Sequence, residues 1–382
     1  MRHKIIWPVI RKILYLLCTA ILKGLSYLFF WIGLKTPDLK NVHRILLIKT
    51  ERIGDLVLST PAIRAIKQNF PRASVSIIIN SYTKAIVEND PHLDEIIVYD
   101  VKGAHKSLIE KIRFIKDLRK KKFDIAVDLN TRPFFFLPVW LLCLSAAKIT
   151  LGLDNFGRGL FYNIKVKPRR KPRPLTEEVL HILSPLGIST PDRQLRLFLR
   201  EEDKVYIQKY LNEKGVRKND LVVGIHPGGY YETLRWVEDG YAKVTQHLIK
   251  ERKAKVFFVG NRKERDLVDR ITALTNGGPI NLAGKITLGQ LMAIISRCNL
   301  FIGNSSGPLN IALGFGISTI SFLGPSIPER WRPSGEKNIV FRKDLPCSPC
   351  ESGYCRRRDF ACMKKIKPEE VIEAVNRQLE KR

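Results

Sequence analysis

Residues 44–61, RILLIKTERIGDLVLSTP, decide the fold. The apolar run at their start reads as a buried strand. The chain then turns on Ile53-Gly54-Asp55, with Lys49 just before the turn and Arg52 inside it. A plain connection needs no acid beside a glycine at the C-terminal end of a strand. In an open α/β sheet that edge is where ligands bind. Two readings of Asp55 stand side by side. It caps the following helix, with Pro61 marking a second helix start after Ser59-Thr60 or a kink. Or it is a general base, taking a proton from an attacking hydroxyl.

Outward from this stretch the pattern alternates. The apolar runs ILLIK, SVSIIIN, EIIVYD, FDIAVDLN and KITLGL are separated by helix-like segments such as LIEKIRFIKDLRKK. That is βαβ periodicity and predicts a parallel sheet. A basic, proline-rich stretch, KPRRKPRP at 167–174, follows; it reads equally as a solvated loop or as a phosphate-attracting rim. A second series begins at Leu221 with LVVGIHPGG, KVFFVG, INLAG, NLFIGNSSG and STISFLG. Two α/β units facing across a linker would enclose a cleft, and basic, glycine-ended loops there suit an anionic ligand such as a nucleotide. The chain has no G-x-x-x-x-G-K-[ST] and no well-placed G-x-G-x-x-G after the first strand, which argues against a P-loop NTPase and a dinucleotide fold.

A chain of 382 residues suits two domains with extras, and an apolar fraction of 45% marks it as globular. The formal charge of +29 fits nucleic acid, an anionic membrane surface or a phosphorylated substrate, as well as a plain lysine-rich surface. The charge is spread along the chain without a recognisable nucleic-acid-binding motif, so no nucleic-acid partner is expected. Residues 13–34 are strongly apolar, but Lys12, Tyr15, Thr19, Lys23 and Ser26-Tyr27 recur at helical spacing. This predicts a membrane-associated helix, lying in an anionic interface in preference to spanning the bilayer; a span and a helix buried against the protein are the alternatives. The stretch is too long for a cleavable secretory signal and lacks a small-residue cleavage site, so a reducing compartment is expected.

In NSSGPLNIAL, 304–313, a strand runs into a helix start with Pro308 near its first position. Free backbone N–H groups and the hydroxyls of Ser305 and Ser306 would meet a phosphate there, and Arg235, in HPGGYYETLRW, would neutralise a diphosphate. Simple capping explains the serines equally well. Cys347, Cys350, Cys355 and Cys362 crowd one short segment. They fit a structural zinc site, free thiols or two disulfides.

Five stretches then carry a resemblance: KTERIGDLVLSTPAIRAIKQNFP (49–71), GIHPGGYYETLRW (224–236), VGNRKERDL (259–267), NLAGKITLGQLMAIISRCNLFIGNSSGPLNIAL (281–313) and SFLGP (321–325). Together they resemble glycosyltransferase family 9, the ADP-heptose:lipopolysaccharide heptosyltransferases, over about residues 43–345 and in the family's order. The resemblance implies GT-B architecture, two Rossmann-like domains with the active site between them. With the readings above, the expected divisions are a membrane-associating segment at 1–40, an acceptor domain at 41–200, a nucleotide-sugar domain at 201–345, and a cysteine-rich tail with a final helix at 346–382. That final helix would cross back to the first domain. The resemblance further implies inverting transfer without a catalytic metal, from ADP-heptose to a lipopolysaccharide-type acceptor at the cytoplasmic face of the inner membrane. Asp55 matches the family's base. Lys49, Thr50, His226, Arg235, Glu264, Ser305, Ser306 and Gly307 would bind the donor, with Glu264 near the ribose. The family often shows Asn-Asp-Ser-Gly-Pro-x-His; here Ser305 stands in place of the Asp and Asn310 in place of the His, which puts the donor sugar in question. A membrane-associated nucleotide-sugar-binding protein without activity is the competing reading.

Overall fold

A computed structural model describes residues 39–132, 136–275 and 278–380. The interfacial helix expected at 13–34 lies outside the described residues. The first sheet contains β1 (Arg44–Ile48), β2 (Ser74–Ile79), β3 (Glu95–Val98), β4 (Ile125–Asp128), β5 (Ile149–Leu153) and β6 (Ile164–Val166). Its helices are α1 (Ile53–Val57), α2 (Thr60–Asn69), α3 (Leu108–Lys120), α4 (Leu137–Leu144) and α5 (Leu175–Ile182). After α6 (Glu201–Glu213) the second sheet contains β7 (Val222–His226), β8 (Lys255–Phe258), β9 (Ile280–Asn281), β10 (Leu300–Asn304), β11 (Ser318–Phe322) and β12 (Asn338–Phe341). With it run α7 (Glu238–Lys250), α8 (Arg265–Leu274), α9 (Leu288–Ser296), α10 (Gly307–Gly314) and α11 (Pro328–Trp331). The chain then continues through α12 (Ala361–Lys364) to α13 (Pro368–Glu380).

The strand orders are β3-β2-β1-β4-β5-β6 and β12-β11-β10-β7-β8-β9. Within both sheets every pairing is parallel. These are two copies of one doubly wound order. Each reverses direction beside its first strand, between β1 and β4 and between β7 and β10. A crevice opens at such a point, outside the carboxyl ends of the strands. The central strands are apolar on both faces, as helix-covered parallel strands must be: Ile45, Leu46, Leu47 and Ile48 are fully buried, as are Leu300, Phe301 and Ile302.

The two halves share an apolar cluster that runs from β1 and β2 through α1 and α2 to Met292, Ile295 and Leu309 on α9 and α10. Arg330 on α11 reaches into the first half, with Nη2 donating to Thr131 Oγ1 at 3.1 Å and lying 3.6 Å from Glu178. Among the described residues the final helix packs on the second half, where the resemblance implied that it crosses back to the first. Val371, Ala374 and Val375 join the second core, and α13 packs on α7 and β11. Gln378 Nε2 also donates to Lys337 O at 2.8 Å.

Candidate functional site

Asp55 sits in α1, just past the C-terminal end of β1, and its side chain is 5% exposed. The capping reading is realised. Its Oδ2 accepts from the Arg52 N–H at 3.2 Å, a capping contact, while Pro61 opens the separate helix α2. Arg132 Nη2 donates to the same Oδ2 at 2.9 Å. Among the described residues Oδ1 has no hydrogen bond, so one carboxylate oxygen remains for a ligand.

Arg132 is held there from below. Glu51 is fully buried; its Oε1 accepts from the N–H groups of Thr131 and Arg132 at 3.2 and 2.9 Å. Its Oε2 pairs with Lys49 Nζ at 2.6 Å, and Lys49 also donates to Leu129 O at 2.8 Å. Arg158, also fully buried, pairs with Asp128 and donates through Nη1 to the carbonyls of Asn130 and Arg132, each at 3.2 Å. Burial pushes the Glu51 carboxyl up, but the Lys49 ammonium and Arg132 more than offset this and hold it below its ordinary value. Lys49 was expected to bind the donor. Its side chain is wholly enclosed and committed to Glu51, so it supports the cleft floor instead. Thr50 is likewise 2% exposed, with its N–H donating to Asn130 Oδ1 at 3.0 Å.

Opposite Asp55 stands the end of β10. Asn304 is fully buried; its Nδ2 donates to the carbonyls of Pro227 and Gly228, both at 2.8 Å, and its Oδ1 accepts from Trp236 N at 2.9 Å. It thereby fixes the loop after β7. Ser306 is the N-cap of α10, but its hydroxyl makes no capping bond; it lies 3.0 Å from His226 Nδ1. The other imidazole nitrogen is 3.3 Å from Glu264 Oε2. That oxygen also accepts from Asn261 N at 2.9 Å and Asn261 Nδ2 at 2.7 Å. Burial acts to raise the Glu264 carboxyl, but the hydrogen bond and charge of His226, with Asn261 N–H and Arg235, outweigh it and bring it down to about 2. The stabilisation from this carboxylate is therefore complete above the ordinary glutamate value and is lost as pH falls through about 2. Arg235 folds back on the Gly229 carbonyl at 3.1 Å. Ser305, Ser306 and Gly307 are all partly exposed at the start of α10, so hydroxyls and first-turn amides line the cleft.

The two turns touch. A Cβ on Gly54 would lie 2.5 Å from Asn310 Nδ2 and 3.5 Å from Gly307 Cα, and one on Gly307 would lie 3.2 Å from the Ile53 side chain. The glycine before the acid leaves room for the Asn310 amide, while a Cβ there would sit at ordinary van der Waals distance from Gly307. Gly54→Ala is expected to lower kcat/KM on the order of tenfold by pushing the Asn310 amide aside and shifting Asp55 relative to the 305–307 turn. The double variant G54A/N310A, with the obstructing amide gone, is expected to recover most of it; steady-state kinetics on both checks this. Across the rim, the Arg52 guanidinium lies 3.4 Å from the centroid of the Tyr230 ring.

The structure thus brings Asp55, His226, Arg235, Glu264, Ser305, Ser306 and Gly307 around one cleft and leaves Lys49 and Thr50 beneath it. Sequence reasoning missed Glu51, Arg132, Asn304 and Asn261. Their one signal is position: each lies within a few residues of a strand's carboxyl end. The cysteines lie elsewhere. Cys347 and Cys350 are exposed and Cys355 and Cys362 half-buried, all as free thiols. Burial and the neighbouring Cys350, Cys355 and Cys347 push the Cys362 thiol up. Among the described residues no three His, Cys, Asp or Glu side chains are arranged to hold a metal ion.

Known proteins share this architecture and sequence. The solved glycosyl transferase family 9 structure from Veillonella parvula DSM 2008 superposes with a TM-score of 0.79 at 25% identity, covering 89% of this chain and 98% of that one. Lipooligosaccharide heptosyltransferase 2 of Campylobacter jejuni (strain 81116) is 25% identical over 331 residues, 85% of this chain and 96% of its own. Lipopolysaccharide heptosyltransferase 3 of Escherichia coli K12 is 28% identical over 298 residues, 75% of this chain and 84% of its own. The family model for glycosyltransferase family 9 (heptosyltransferase) matches residues 111–360, and with paired doubly wound sheets around a single carboxylate-bearing cleft, the chain belongs to that family.

Proposed function

We propose that the chain transfers a heptosyl group from ADP-heptose to a hydroxyl of a lipopolysaccharide-core acceptor, with inversion at the anomeric carbon. The observation that carries this reading is the free Oδ1 of Asp55, one residue from the Gly54 backbone that meets the start of α10. In the reaction, Asp55 takes the acceptor hydroxyl's proton through Oδ1 as the oxygen attacks the sugar. The diphosphate leaves into the amides of the first α10 turn, the hydroxyls of Ser305 and Ser306, and the positive field of Arg235, so the developing charge is met by groups already in place. Glu264 and His226 hold the Ser306 hydroxyl and the loop after β7 in position. Transfer of heptose is what the C. jejuni and E. coli relatives are named for. Such an acceptor is held at the cytoplasmic face of the inner membrane, where this enzyme would work.

The test is incubation with ADP-heptose and a set of lipopolysaccharide precursors that differ in core length. Release of ADP with one heptose gained per acceptor is expected. No release above the acceptor-free rate, with donor binding intact by thermal shift, would reduce the chain to a binding module. Because Ser305 and Asn310 depart from the family pattern at the donor turn, ADP-linked hexoses belong in the same panel.

The pH profile follows from the site. Burial first, then the Glu51 charge, raises the Asp55 carboxyl above the ordinary aspartate value of 3.8, against the opposing pull of Arg132 and Lys49. The base is competent only when ionised, so kcat/KM falls as pH drops through this raised value. Arg132→Gln removes a lowering charge and is expected to move that acid limb upward by on the order of one pH unit. A limb that stays in place in R132Q would assign it to another group.

A further inference from the structure

The two most exposed large aliphatic side chains among the described residues, Leu108 and Ile109, share one helix start with a third exposed aliphatic, Ile112. Leu108 is 72% exposed, Ile109 70% and Ile112 46%, all in the first turns of α3. Because α3 carries the chain from β3 back to the parallel β4, these turns lie at the carboxyl edge of the first sheet, the edge that also bears Asp55. Trp140, 44% exposed, stands on α4, which packs beside α3. Nothing in the fold needs aliphatic residues here. The helix is already started by a capping box, with Ser107 N donating to Glu110 Oε2 at 3.0 Å and Glu110 N to Ser107 Oγ at 3.2 Å.

The charge around them is predominantly positive. Between residues 101 and 122 the sequence places nine lysines and arginines against two carboxylates, Glu110 and Asp117. Counting about 100° per residue, Leu108, Ile109 and Ile112 share a sector with Lys116 and Arg119 farther along the helix, and the two acids point to another. Lys102 and Lys106, both exposed, precede the aliphatic turn. Aliphatic side chains ringed by cations suit a surface that is anionic outside and apolar just beneath, which an anionic lipid bilayer is and a neutral protein partner is not.

We propose that the start of α3, through Leu108, Ile109 and Ile112, with Lys102, Lys106 and Lys116, is a docking surface for an anionic bilayer. Seating it there turns the carboxyl edge of the first sheet, and with it Asp55, toward molecules held in the membrane. The contact belongs to the folded body of the protein and is separate from any made by residues 13–34.

The test is binding of the full chain to vesicles of phosphatidylcholine with and without phosphatidylglycerol, followed by co-flotation. The variant L108Q/I109Q/I112Q is expected to bind the phosphatidylglycerol vesicles roughly tenfold or more weakly than the wild type. K102E/K106E/K116E is expected to lose a similar factor. V205Q/Y206Q, which alters two exposed apolar residues on α6, is expected to bind as the wild type does. Unchanged binding by the first two variants overturns the proposal. So does a wild-type dimer in light scattering that the aliphatic variant abolishes, which assigns the surface to a second copy. A drop of several degrees in thermal midpoint for that variant also overturns it, because the three side chains then pack within the chain. No donor or acceptor is present, so the outcome is independent of the transfer assay.

Discussion

Asp55→Asn is expected to reduce kcat by about 10²–10⁴-fold while leaving the nucleotide-sugar dissociation constant within a factor of about two. The amide keeps the shape of the side chain, and its oxygen can still accept from Arg132 and the Arg52 N–H, so the turn should hold. What is lost is the oxygen that takes the acceptor's proton. The split between kcat and donor binding is diagnostic. A residue needed only to place the turn would, when changed, weaken donor affinity as well, because Gly54 and Gly307 are in contact. Single-turnover rates with a thermal-shift titration of the donor separate the two effects, and full turnover by D55N would remove this residue from the reaction.

The second large effect is one of stability. Lys49→Met leaves Glu51 charged, fully buried and short of its closest partner, and is expected to cost about 3–5 kcal/mol. Arg132 Nε, 3.8 Å from Glu51 Oε1, replaces only part of the lost interaction. K49M/E51Q is expected to recover most of the loss. Glutamine keeps an oxygen for the Thr131 and Arg132 N–H groups and carries no charge to strand. Denaturant unfolding of both variants checks this. The wild-type contribution should also fade in acid. A carboxylate held below its ordinary value stabilises the fold above that value and ceases to do so as pH falls through the lowered one. A K49M protein as stable as the wild type would show that the pair is not needed to hold the 129–132 loop.

These two residues show what the sequence can and cannot reveal. Asp55 was legible because an acid next to a glycine at a strand end has few structural uses. Lys49, six positions earlier, looked equally functional, yet a buried lysine paired two residues away is indistinguishable in sequence from one that faces a ligand. The clue was Glu51, on the same extended segment. Arg132 was illegible for the opposite reason. It lies 77 residues from its partner, and only the adjacency of β1 and β4 brings the two loops together. The long apolar runs announced ten strands. β6 and β12 went unseen because each is a short edge strand: β6 has three residues of which one is buried, and β12 is half-buried throughout, so neither gives a long apolar signal. Amphipathicity marked α13 as a helix, but a pattern of apolar positions does not say which surface they cover, and here it is α7 and β11.

The central claim is that a carboxylate from the first half and an amide-rich turn from the second hold one sugar diphosphate between them. A crystal structure with a non-transferable ADP-heptose analogue tests it most directly. The diphosphate is expected on Ser305, Ser306 and Gly307, and the anomeric carbon near enough to Asp55 Oδ1 for one acceptor hydroxyl to bridge them. An analogue seated away from the start of α10, or an anomeric carbon turned from Asp55 with no room for that hydroxyl, would contradict it.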